Sequence, residues 1–342
     1  MALVVRWYDF ICFGIVGLAF FGSLLLIWWR EKGERRSSCG GSSSSMYESL
    51  VSVSRPEPEE CAPRAGHLCS SQLWNSCWAG LHPGWLLGIR FLSFATLSGF
   101  LVWDILEYSP SIYVYYTEWT FTLVVIYFAI ATIVSAHGCV LYYSQLQSMK
   151  SPTENGRWQG KEILPGDIEP RVYTIAANIA DKERVGINML LERAGFWGYL
   201  MQISFQTCAG AVVLTDIVFW LVIVPFLPNV HLQLNLLMGC IHTLNAVFLL
   251  LDTSINSLPF PWFRLAYFVL WSCCYVIFLW VIHACGFTWW PYPFLELSTP
   301  WAPLWYLCLA VIHIPCYGFY WLVVSAKTSI FPRLFPRAFV KY

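Results

Sequence analysis

The chain has 342 residues, of which 58% are hydrophobic and 12% charged, with a mean hydropathy of +0.57; an ordinary soluble domain is about 25% charged. This balance excludes wholesale disorder, a coiled coil and a nucleic-acid binder, and it argues against a soluble enzyme. Twenty Lys+Arg offset twenty Asp+Glu, so the net charge is silent about partners, and a chain this long and apolar is no disulfide scaffold despite its thirteen Cys.

A helix crossing a bilayer needs about 20 mostly apolar residues. The first such run is Phe10–Trp29. A single Arg precedes it, its apolar core is long and basic residues follow, so it reads as a retained helix and not a cleaved signal peptide. Residues 31–84 read as a disordered cytoplasmic linker, with the Ser42–Ser45 run and the Arg55-Pro-Glu-Pro-Glu-Glu stretch. Cys61, Cys69 and Cys77, with His67 and His82 nearby, lack the paired CxxC spacing of a zinc site. They read as reduced thiols, and no metal or cofactor is predicted. Cys39 and Cys77 flank spans one and two, where reversible palmitoylation is conceivable. Spans two and three follow at Trp85–Leu106 and Trp119–Tyr143, then a loop over 145–196 whose Val172–Arg193 part mixes apolar and charged residues like a surface amphipathic helix. Spans four to seven are Trp197–Val224, His231–Leu251, Phe263–Gly286 and Pro303–Ser325, ahead of a basic tail over 326–342.

The charges test this parse. With the N-terminus outside, 18 of the 20 Lys and Arg fall on the inner side, and the outer loops between spans carry none. The predicted fold is therefore an all-α integral membrane bundle of about seven transmembrane helices, N-terminus outside and C-terminus cytoplasmic. The plasma membrane and the endoplasmic reticulum are equally compatible.

Ionisable groups inside spans are costly and are functional candidates by default. Spans four and five form a hairpin turning through Pro225-Phe-Leu-Pro-Asn-Val. Thr215 lies 13 residues before its midpoint at residue 228 and His242 lies 14 after it, so both sit about 20 Å of helical rise from the turn. A hydroxyl and an imidazole at one depth can act as nucleophile and general base, with Asp216 beside them. Depth does not decide whether they face each other; a Thr bonding its own i−4 carbonyl and a His bonding across the bundle is the competing reading. Asp252, ten residues after His242, lies near the inner end of its span, as does Arg90. The two can pair, although snorkelling of Arg90 is the simpler reading. His313 is near mid-depth in span seven, and it either joins the pocket or bonds a neighbouring helix. Asp104, Glu107, Glu118, His283 and Glu296 gather at outer ends, where cation binding is one reading and solvated helix ends the simpler one.

Val212-Val-Leu-Thr-Asp216 resembles the Thr-Asp signature of the androgen-induced family of multi-span membrane hydrolases, and Cys240-Ile-His-Thr243 resembles its His-Thr motif. Asp252 matches an acidic residue ten after that His. Trp280-Val-Ile-His283 with Tyr292-Pro-Phe-Leu-Glu296 is a third match, in the same order, within about residues 197–320. The resemblance implies cleavage of fatty acid esters of hydroxy fatty acids by an intramembrane Thr nucleophile, here Thr215, and a His, here His242. Asp216, Asp252, His283 and His313 are candidate supporting groups. The Tyr115-Tyr-Thr-Glu-Trp119 entry to span three and the seven-span length resemble the rolling-stone membrane proteins, linked to cell fusion. The first 150 residues have no counterpart in the compact hydrolases.

The expected function is an intramembrane lipid-ester hydrolase acting on a membrane lipid or fatty acid ester. The alternative is a non-catalytic scaffold or receptor-like interaction partner. A transporter is disfavoured, since no helix is broken and no carboxylates pair within the membrane.

Overall fold

The computed structural model describes residues 6–40, 68–150, 194–226 and 236–340. Seven helices in it are long and apolar enough to cross a membrane, and no strand occurs among the described residues. The chain is thus a multi-pass integral membrane protein. The helices are α1 (Trp7–Gly40), α2 (Pro83–Tyr108), α3 (Tyr116–Lys150), α4 (Phe196–Val218, continued through Phe226), α5 (Leu236–Ile255), α6 (Leu265–Ala284) and α7 (Ala302–Leu334). All seven expected spans are present; α1, α3 and α7 run on past their expected ends, to Gly40, Lys150 and Leu334. The hairpin turn after Phe226, the serine run and the Val172–Arg193 stretch lie outside the described residues, as do Cys61 and His67.

Alternation of the helices defines two ends. One carries the start of α1, the 109–115 connection and the 285–301 connection; the other carries residues 68–82 and 335–340. At the first end, the Arg6 Nη1 and the Tyr8 hydroxyl both donate to the Ser298 carbonyl, at 2.6 and 3.1 Å. Helix α4 is central, touching α3, α5, α6 and α7. Small residues make that possible. A Cβ on Gly210 would lie 2.4 Å from Cδ1 of Phe268 on α6, so only glycine admits the two helices this closely. Helix α1 is peripheral, packed on α6 and α7, and shows Phe10, Leu18, Phe21, Leu25 and Trp28 outward, as a lipid-facing helix should.

Asp104 and Glu118 are buried and are not the solvated helix ends expected of them, and three further expectations need correction. First, residues 31–84 are not wholly a linker. Helix α1 runs on to Gly40, and residues 68–82 pack into the second end of the bundle. Leu68, Leu73, Trp74 and Cys77 are buried there. Trp74 lies so close to α3 that a Cβ on Gly138 would fall 2.1 Å from its Cγ. Burial of these aromatic and aliphatic side chains outweighs the polar composition of the segment. It also encloses Cys77, whose thiol contacts the Ser254 carbonyl at 3.5 Å; burial pushes this thiol above its ordinary range and removes it as an acylation site. Second, span seven does not end at Ser325, and the stretch that follows packs on the bundle. Helix α7 continues to Leu334, the buried Lys327 ammonium donates to the Asn256 carbonyl at 2.5 Å, and residues 335–340 fold back so that the Val340 amide donates to the Cys77 carbonyl at 2.8 Å. Third, Arg90 does not snorkel. It is fully buried and paired with Asp252.

Candidate active site

Polar side chains from α3, α4, α6 and α7 converge on one partly open cavity. Thr215 is 11 residues before Phe226, Ser272 is 12 before Ala284 and His313 is 11 after Ala302. All three therefore stand about 16–18 Å of helical rise from the first end. Tyr116, the first residue of α3, reaches the same cavity. Leu214, Val218, Phe219, Ile223, Val276 and Leu309 form much of its apolar wall, and Tyr292, Phe294 and Leu295 of the 285–301 connection close it at that end. This mostly apolar lining suits the acyl chain of a lipid.

Thr215 lines the cavity, but its hydroxyl is committed to its own helix: Oγ1 lies 3.0 Å from the Ala211 carbonyl and 2.9 Å from the Val212 carbonyl. His242 is buried beside it on α5 and is turned elsewhere. Its Nδ1 is 3.4 Å from Asp216 Oδ1, a long contact, and its ring stacks on Phe219 with centroids 3.7 Å apart at 8°. Thr215 and His242 share a neighbourhood, then, without a hydrogen bond to one another. The Phe219 that holds His242 belongs to a π-helical turn, Phe219–Ile223. Such turns recur at functional sites. Here Pro225 follows, and having no N–H it cannot continue the ordinary ladder.

Of the remaining candidates, His313 joins the cavity. Among the described residues, Asp216 meets His242. Asp252 lies away from it, accepting from Arg90 Nε at 2.8 Å, Tyr127 Oη at 2.5 Å and Asn256 Nδ2 at 2.8 Å. His283 stacks on Trp290 at 3.7 Å, with Nδ1 2.9 Å from the Leu279 carbonyl. No cluster of metal-ligating side chains occurs among the described residues.

The polar groups that sequence reasoning missed are Ser272 and Tyr116. His313 Nδ1 is 2.6 Å from the Leu309 carbonyl, and Nε2 is 2.7 Å from Ser272 Oγ. Tyr116 Oη is 2.7 Å from that same Oγ. Hydrogen-bond chemistry assigns the protons. A carbonyl only accepts, so Nδ1 carries the hydrogen, and the Nε2 of a neutral ring accepts. None of the ring's hydrogen-bond partners is a carboxylate, so an imidazolium here would be a buried, unpaired charge. Ser272 then donates to His313, and Tyr116 donates to Ser272. A signal was available, since Ser272 and His313 lie at matching depths. It was hidden because many span residues carry hydroxyls, and depth says nothing of facing.

Comparison with protein-family models, with characterised proteins and with solved structures returns no match, so these residues are interpreted from their geometry.

Proposed function

We propose that this protein is an intramembrane lipid-ester hydrolase whose substrate carbonyl occupies the cavity lined by Thr215. The observation that carries the reading is the cavity itself: a mostly apolar pocket among membrane-spanning helices, on which hydroxyl and imidazole groups converge. A lipid ester can enter from the bilayer and present its carbonyl to those groups. The resemblance to the androgen-induced hydrolases assigns the nucleophile to Thr215 and the base to His242. For that pair to act, the Thr215 hydroxyl must leave the Ala211 and Val212 carbonyls, and His242 must leave its stack on Phe219. Segregation of basic residues supports an N-terminus outside and a cytoplasmic C-terminus, which sets the cavity in the outer half of the bilayer.

The test is hydrolysis of fatty acid esters of hydroxy fatty acids by the purified protein, compared with Thr215→Ala and His242→Ala. Loss of turnover in both supports the Thr215–His242 assignment. Turnover surviving both removes that pair. Absence of turnover in the unaltered protein, under conditions where it stays monodisperse, removes the hydrolase.

One observation favours the non-catalytic alternative. The Thr215 hydroxyl bonds its own i−4 carbonyl, as a purely structural helix threonine does.

A further inference from the structure

We infer that Ser272 and His313 form the working nucleophile–base pair of this cavity, with Tyr116 as the hydroxyl donor beside them. The inference rests on the hydrolase reading, and it replaces the Thr215–His242 pair that the resemblance implies with a pair already joined by a hydrogen bond. Nucleophilic catalysis needs a hydroxyl within hydrogen-bond reach of a base that a third group orients. Ser272 Oγ is 2.7 Å from His313 Nε2, and the Leu309 carbonyl fixes the ring from Nδ1 at 2.6 Å.

Ser272 also departs from the habit of its neighbours. Ser93, Thr132, Thr207, Thr215, Thr253 and Thr328 all donate to their own i−4 carbonyls. Ser272 instead bonds His313 and Tyr116, both from other helices. Its proton therefore already points at the base, which the Thr215 proton does not. The pair lies in the cavity wall with Tyr116, where an ester carbonyl would sit. The Phe268 ring, with its centroid 4.4 Å from that of His313, packs against the imidazole and limits its rotation.

The chemistry balances with water as the sole co-reactant. Ser272 Oγ bonds to the ester carbonyl carbon while its proton passes to His313 Nε2. The C=O π electrons move to oxygen, and the Tyr116 O–H, released from Oγ, can donate to that oxyanion. Collapse breaks the carbon–oxygen bond to the alcohol, which leaves with the proton from Nε2. Water then attacks the acyl-serine, giving its proton to Nε2, and the acid departs as that proton returns to Ser272.

The experiment is labelling of the purified protein in detergent with a long-chain alkyl fluorophosphonate, and mapping of the adduct by tandem mass spectrometry. An adduct on Ser272 is expected, together with its loss in His313→Asn, which keeps an N–H for Leu309 and removes the base. Ser272→Ala should lower lipid-ester turnover by about 10³-fold or more. A thermal melt and a monodisperse elution profile check that each variant is folded, and adduct mapping on the unaltered protein needs no variant at all. An adduct on Thr215, or turnover with no adduct on Ser272, overturns this assignment and leaves the hydrolase standing. Neither adduct nor turnover removes both.

Discussion

Arg90 Nε lies 2.8 Å from Asp252 Oδ1 across α2 and α5, and neither side chain has any exposed surface. The guanidinium also donates through Nη1 to the Leu73 carbonyl at 2.8 Å and to Ser135 at 2.6 Å. One charge pair thus ties α2, α3 and α5 to the 68–82 segment. Deleting one member of a buried pair strands the other, at a cost of about 3–5 kcal/mol. Asp252→Ala is therefore expected to lose that much in denaturant unfolding in detergent. Arg90→Met combined with Asp252→Leu should recover part of it, because Tyr127 and Asn256 still lack their acceptor. A single Asp252→Ala variant within about 0.5 kcal/mol of the parent, the range of substitutions that remove no specific interaction, contradicts a structural role for the network.

Tyr116→Phe removes one hydroxyl donor from the cavity and keeps the ring. If the hydroxyl serves the oxyanion, turnover should fall by about 10²–10³-fold with KM little changed. A change confined to KM identifies a substrate contact instead.

Gly210→Ala places a methyl carbon 2.4 Å from the buried Phe268 ring, which leans on His313. Overpacking of this kind costs about 1–3 kcal/mol, and fluorophosphonate labelling should slow as the imidazole shifts. Phe268→Leu in the same chain should restore stability. The checks are thermal unfolding and the labelling rate.

Cys77 supplies a pH test outside the spans. Burial raises its thiol above the ordinary range, so the folded chain holds this proton more tightly than the unfolded chain does. Its contribution to stability is complete below the ordinary thiol value of about 8.5 and is lost as pH rises through the elevated folded value. Maleimide at pH 7.5 should modify exposed Cys285 at least tenfold faster than Cys77, a ratio of order-of-magnitude thiolate access. Denaturant should abolish the difference. Equal rates in the folded protein contradict the packing of residues 68–82.

Trp74→Ala should release that same segment. The buried indole fills the gap opposite Gly138, and its loss costs about 3–5 kcal/mol. Hydrogen exchange of residues 68–82 is expected to rise well before that of α3.

Hydropathy alone located the seven helices, because a segment crossing about 30 Å of hydrocarbon must be apolar along its length and hydrogen-bond itself. It also brought Thr215, His242 and His313 to notice, since polar groups stand out against such a background. Helical rise assigns depth and leaves azimuth free, so it could not tell that Thr215 turns to its own backbone while His313 meets Ser272 across α6 and α7. Nor could composition show that a polar stretch ending at His82 folds beneath the bundle, or that Arg90 stays buried. Both depend on partners distant in sequence: Gly138 admits Trp74, and Asp252 neutralises Arg90. Packing supplies those partners, and with them the facing of every group in the cavity.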